Sequence, residues 1–219
     1  MGESIRCSQR GAAITCGLAL LVASMPALAA EPRLQIGPYV GYQFGGSLDA
    51  SSEYERRHIN ILDAPSFGAT INFAAARDGI AEIGYSRTDT EITVHSSDGS
   101  FERYDLAINY LTIGGLLEFR IPGAEWLRPV IGGTMGPSWF EANNEYYSYE
   151  EWRFSLLLEG GLEMQVVDHL GLRFRARLLT TFFTDHSALF CGTGTGCAFT
   201  FSGTALFQGE VGAGVYVAF

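Results

Sequence analysis

From residue 34 onward the chain alternates apolar with small or polar residues at a period of two, in segments of about ten residues. In the stretch 34–44, Leu34, Ile36, Val40, Tyr42 and Phe44 fall on one face, while Gln35, Gly37, Gly41 and Gln43 fall on the other. Successive side chains point to opposite sides only in extended backbone, so this pattern demands strands. After the N-terminal region no apolar run approaches the roughly 20 residues that a spanning helix needs. If such a chain crosses a membrane, it does so as strands.

The pattern recurs eight times. In 66–73, Phe67, Ala69, Ile71 and Phe73 alternate with Ser66, Gly68, Thr70 and Asn72. Segments at 80–94, 102–120, 127–140, 153–167 and 170–183 follow, and the last strand sets Phe207, Val211, Ala213, Val215, Val217 and Phe219 against Gln208, Glu210, Gly212, Gly214 and Tyr216. The alternation blurs after Tyr110, which reads as a bulge. Connections are short near residues 77, 123 and 168 and long at 45–65, 95–101, 141–152 and 184–204. An even strand number with short turns at one end and long loops at the other predicts an all-β, eight-stranded, antiparallel up-and-down transmembrane barrel, with short periplasmic turns and long outer loops.

A soluble eight-stranded carrier would put its apolar face inside, so the charges decide between the two. Glu82, Glu159, Glu163, Glu210, Arg173, Arg175 and Arg177 all share parity with the small and polar residues of their strands. Arginine on the lipid face at the bilayer midplane costs about 2–4 kcal/mol, so these seven belong inside. A tight turn at Asp168-His169 sets Glu163 opposite Arg173 and Glu159 opposite Arg177. The resulting ladder of ion pairs fills a lumen only as wide as its side chains and argues against free diffusion of solutes.

The first 29 residues read as a cleaved signal peptide, with residues 30–219 as the barrel domain: Arg6 and Arg10 precede an apolar stretch, and Ala27-Leu28-Ala29 offers cleavage after Ala29 or Ala30. Its removal leaves 12 arginines against 23 acidic residues, a charge that excludes nucleic acid as a partner. In an oxidising compartment Cys191 and Cys197 read as a disulfide pinching a glycine-rich loop, ahead of a metal reading with His186. His58, His95 and His169 stand apart in loops and turns, with no partner at ligand spacing. No cofactor motif is present: Gly192, Gly194 and Gly196 lack a strand–helix context.

The segment Leu34-Gln-Ile-Gly-Pro-Tyr-Val-Gly-Tyr-Gln-Phe44, the run Arg128-Pro129-Val130-Ile131-Gly132-Gly133 and the closing Gly212-Ala-Gly-Val-Tyr-Val-Ala-Phe219 resemble the small outer-membrane β-barrels that include the OmpA transmembrane domain and the opacity-type porins. The resemblance implies residence in the outer membrane among lipid and lipopolysaccharide. It also implies an assembly signal, read by the barrel-assembly machinery, at Val215, Val217 and Phe219.

Three functions are weighed. A surface-interaction role rests on the acidic, aromatic loop that carries Tyr146, Tyr147, Tyr149 and Trp152, with an extracellular ligand as partner. The plainer reading gives Trp139, Phe140, Trp152 and Phe154 to an aromatic girdle. A lipid A-modifying enzyme requires a Ser–His pair with an orienting acid, and Asp185-His186-Ser187 supplies the residue types on an extended strand whose neighbours diverge. A narrow ion channel is opposed by the inward arginines. The expectation is a surface barrel that is not an enzyme.

Overall fold

A computed structural model describes residues 34–51, 56–75, 78–95, 101–143, 148–183, 188–192, 196–200 and 205–219. Eight antiparallel strands close on themselves: β1 (Leu34–Phe44), β4 (Ala64–Ala74), β5 (Gly79–His95), β6 (Phe101–Glu118), β7 (Leu127–Asn143), β8 (Ser148–Val167), β9 (Leu170–Phe182) and β12 (Ala205–Ala218). Each pairs with its sequence neighbour in the barrel, and β1 pairs β12 to complete the ring. Phe219 N–H also donates to the Leu34 carbonyl at 2.9 Å.

Four short strands were not foreseen. The stretch 45–65, read as a loop, contains β2 (Ser47–Ser51) and β3 (Arg56–Ile61), which pair with each other; β3 also pairs with the upper part of β5. They prolong β1 and β4 across the breaks at Gly45-Gly46 and Leu62-Asp63, where Gly45 N–H donates to Asp63 Oδ1 at 2.7 Å. The stretch 184–204 contains the hairpin of β10 (Ala188–Gly192) and β11 (Gly196–Thr200). The third long loop is shorter than expected, because β7 runs on to Asn143 and β8 begins at Ser148.

No bulge follows Tyr110. The register of β6 with β5 and with β7 is constant across that point, and the described irregularity lies instead between Gln165 and Val167. The alternation blurs for a different reason, which the lumen explains. Below Tyr110 the outward face is apolar and the inward face polar; above it Leu106 and Ile108 face inward and are buried. A spanning strand needs only about 9–11 residues. Strands β5 to β8 have 17, 18, 17 and 20, so they continue beyond the hydrocarbon with the pattern reversed.

The outward face of the lower portion carries exposed Ile36, Val40, Phe67, Ile71, Ile113, Ile131, Met135, Leu158, Phe174 and Val211, the composition of a lipid-facing band. Two glycines have specific jobs. Gly123, in the short connection after β6, takes a φ of 85°, a left-handed conformation that other residues avoid. Gly171 lies directly opposite Tyr216, and a Cβ there would overlap the tyrosine ring, which folds across the strand into the space glycine leaves.

Candidate functional site: the lumen and its outer rim

Strand β9 supplies three arginines at every second residue, so all three project to the same side. Arg173 pairs with Glu163 and, at 3.1 Å, with Glu82; Arg175 reaches Glu82 at 3.4 Å and Glu159 at 3.5 Å; Arg177 pairs with Glu210 at 2.6 Å. All seven residues are buried. The tight turn does place Glu163 opposite Arg173 and Glu159 opposite Arg177 in the backbone ladder. The side chains pair otherwise: Glu159 engages Arg175, one step from its register partner, and Arg177 turns to Glu210 on β12.

Aromatic rings complete the ladder. Tyr39 lies under both Arg175 and Arg177, whose guanidinium carbons are 4.6 and 5.0 Å from its ring centre, and its hydroxyl bonds Arg177. Tyr216 lies under Arg173 at 5.8 Å. Such contacts stabilise arginine where water is scarce. Tyr39 follows the parity of Gln35 and Gln43, and that signal finds it in the sequence.

At the periplasmic end the ladder has a base that the sequence reading missed. Arg128 pairs with Glu118 at 3.3 Å and donates to Gln165 Oε1 at 2.5 Å. These residues, with Arg120, Ile121, Pro122 and Glu125, line an open cavity of about 320 Å³. Arg128 shares parity with Val130 and Thr134, both inward, so the rule that placed the other arginines also applies to it.

Above the ladder lies a neutral polar collar. Thr88 donates to Gln43 at 2.6 Å, Tyr110 donates to Gln208 at 2.9 Å, and the hydroxyls of Ser138, Ser155 and Thr181 form a chain with steps of 2.8 Å. Above the collar the lumen turns apolar. Ile59, Ile61, Ile92, Leu106, Ile108, Phe140, Ala142, Leu157, Leu179, Phe183 and Leu206 form one buried cluster inside the barrel. Phe140 belongs to this plug at 2% exposure, which corrects its assignment to the outer girdle. Arg153, paired with Glu151, lies over the Phe183 ring at 5.5 Å.

On the outer wall, where the lipid-facing band gives way to charge, Tyr85, Trp139 and Trp152 stack in succession, with ring centres 6.1 and 4.9 Å apart. Trp152, expected in a loop, stands in β8 opposite Trp139, because the strand begins at Ser148, before the point where the loop was read to end. Beneath the rings Tyr85 donates to Asn109 at 2.9 Å, and both Asn109 and the Trp139 indole donate to Glu141. Rings with a polar edge suit the boundary between hydrocarbon and headgroups. Arg87, Asp89, Glu91, Arg103 and Asp105 lie just beyond.

The other expected site residues separate as follows. Val215, Val217 and Phe219 face outward and are exposed. Tyr149 lies in β8, its side chain outside the described part, and Tyr146, Tyr147, Asp185, His186 and Ser187 lie outside the described residues. Cys191 and Cys197 are directly opposed in the β10–β11 ladder. His58 and His95 are not isolated: they occupy opposed positions on β3 and β5.

The sequence profile of the outer membrane protein β-barrel domain matches residues 16–217. Among solved structures the chain is similar to neisserial surface protein A (NspA), at 13% identity and a TM-score of 0.58, covering 85% of this chain and 97% of that one. It is also similar to the outer membrane protein OprG from Pseudomonas aeruginosa, at 9% identity and a TM-score of 0.55, covering 86% and 96%. No curated protein matches the chain in sequence. The outer membrane protease OmpT from Escherichia coli is similar at 8% identity and a TM-score of 0.47, covering 86% of this chain and 97% of that one. The expectation that the chain is not an enzyme does not stand, because membership of a barrel family and a barrel architecture do not separate enzymes from non-enzymes. The profile spans nearly the whole chain and the strands close as an outer-membrane barrel, so this chain belongs to the outer membrane β-barrel family.

Proposed function

We infer that the protein works at the cell surface through the outer rim and loops of a barrel whose interior is closed to solutes. The observation that carries this reading is the double filling of the lumen: an ion-pair ladder across the membrane-spanning part and an apolar plug above it. A solute would have to break paired buried charges and then part packed side chains, both costly. Strands that outrun the bilayer carry the outer connections on a stiff wall, a footing suited to recognition. In this reading residues 1–29 are a cleaved export signal, and Val215, Val217 and Phe219 are the signal for the assembly machinery. The opposed Cys191 and Cys197 form a disulfide that ties off the β10–β11 hairpin.

Two measurements test the reading. Vesicles containing the refolded protein should neither swell in arabinose nor conduct above the lipid background; stable unitary conductance would refute the closed lumen. Cells bearing the chain with residues 144–147 replaced by glycine and serine should adhere less to an immobilised serum-protein film than cells bearing the parent. Equal adherence would count against recognition by this loop.

A further inference from the structure

At the periplasmic mouth the connection from β6 to β7, residues 119–126, is fastened at both ends. Phe119 N–H donates to the Pro129 carbonyl at 2.8 Å, Leu127 N–H to that of Ala124 at 3.0 Å, and Gln165 N–H to that of Trp126 at 2.8 Å. This turn walls the open cavity of about 320 Å³, whose floor is the buried Arg128 with Glu118 and Gln165. A volume at the lower end of the range for small-molecule sites has room for a dipeptide and not for a protein segment. The cavity is also a dead end. Arg128 lies opposite Glu163 in the ladder of β7 with β8, and Glu163 pairs with Arg173, so the ion-pair ladder closes the lumen behind it. What enters from the periplasm stops here.

The charges that line the cavity are separated by depth. Glu118 is shared between two guanidinium groups: its Oε2 pairs with Arg128 at 3.3 Å, and its Oε1 lies 3.9 Å from Arg120 Nε. The side chains of Arg128 and Glu118 are 11% and 12% exposed, against 64% for Arg120. Arg120 Nε also lies 3.8 Å from Asp78, which does not line the cavity. Both Arg120 distances exceed that of a hydrogen bond, so they are attractions that a better-placed carboxylate can replace. Toward the floor, then, two cations line the cavity with one carboxylate between them. The fourth charge, Glu125, is exposed, and Ile121 and Pro122 add apolar surface. We propose that this cavity binds a small zwitterion with the chemistry of a free dipeptide. The ligand carboxylate lies between Arg120 and Arg128, whose planar forks match it, and the ammonium group faces Glu125. Small apolar side chains rest on Ile121 and Pro122. A ligand of a single sign would meet a like charge at one end, so the lining selects for both charges together. The site stands at the opposite end of the barrel from residues 144–147 and is independent of the loop-recognition reading.

The test uses the full refolded chain in lipid nanodiscs, titrated with alanyl-alanine and followed by saturation-transfer NMR. The parent should bind the dipeptide saturably. Alanyl-alanine amide, which lacks the carboxylate, should bind about tenfold more weakly, the worth of a charge-assisted hydrogen bond. N-acetyl-alanyl-alanine, which lacks the ammonium group, should lose about threefold, as befits an exposed ion pair. Two exposed residues assign these losses to atoms of the cavity. Arg120→Ala should weaken the dipeptide and shrink the gap between acid and amide, while Glu125→Gln should abolish the gap between free and acetylated forms and keep the other. Asp89→Asn, at the far end of the barrel, should bind as the parent does. Each variant should keep the gel-mobility shift on boiling that reports a closed barrel. Absence of saturable binding by the parent, equal affinity for the free and both blocked dipeptides, or unchanged discrimination in Arg120→Ala and Glu125→Gln would overturn the proposal.

Discussion

Glu82 is 1% exposed and touches two arginines, so burial alone marks it as a costly residue to neutralise. The pairing of the ladder argues the opposite. With Glu82 the inner ladder holds four glutamates against three arginines, and Arg173 and Arg175 each have a second carboxylate, Glu163 and Glu159. Glu82→Gln leaves each of the three arginines with one glutamate and the ladder neutral. The loss is that of a charge-assisted bond partly replaced by an amide, about 1–2 kcal/mol. Glu210→Gln is different. Among the described residues Glu210 is the carboxylate paired with Arg177, and its removal strands a buried guanidinium against a tyrosine. Stranding one member of a buried ion pair costs about 3–5 kcal/mol. The two substitutions are chemically identical and both sites are buried, so the difference of about 2 kcal/mol, some 30-fold in the folding equilibrium, isolates pairing from burial. Urea unfolding of the protein in lipid vesicles, followed by tryptophan emission, measures both. A cost for Glu82→Gln equal to or above that for Glu210→Gln would refute the argument. So would a coupling near zero between Arg177→Met and Glu210→Met in a double-mutant cycle.

The remaining predictions use the same unfolding assay. Val40, 68% exposed on the lipid-facing wall, should lose about 2–4 kcal/mol when replaced by arginine, whereas exchanging exposed Asp89 for asparagine beyond the band should cost little. Gly171→Val should cost about 1–3 kcal/mol by overpacking against the Tyr216 ring, and adding Tyr216→Ala should relieve that strain. Leu157→Ala opens a cavity in the plug at a site with no exposure and should cost about 2–5 kcal/mol.

Much of this was legible in the residues because parity is a local property. Gln35, Glu82, Glu159, Arg173 and Glu210 could each be assigned to the inside from two neighbours in sequence. Parity says nothing about which charges meet, and so Glu159 was matched to Arg177 by register while its side chain reaches Arg175. The plug was missed because Ile92, Leu106 and Phe140 keep the strand period while exchanging the solvents on the two faces, and a rule written for lipid outside misreads such a stretch as disorder in the pattern. Arg128 was missed for a smaller reason: a glycine-rich strand gives little contrast between its faces. The opposition of His58 to His95 was out of reach, since it depends on β3, a short strand concealed by its mixed charge.

The reversal of pattern along β5 to β8 also sets how deep the protein sits. If the barrel sank by one residue pair, Arg87 and Glu141 would enter hydrocarbon; if it rose by the same amount, Phe73 and Leu117 would meet water. Both displacements are opposed, from opposite ends, by side chains already in place. The molecule therefore carries its own waterline, and the height at which it holds its loops above the lipid is written into its strands.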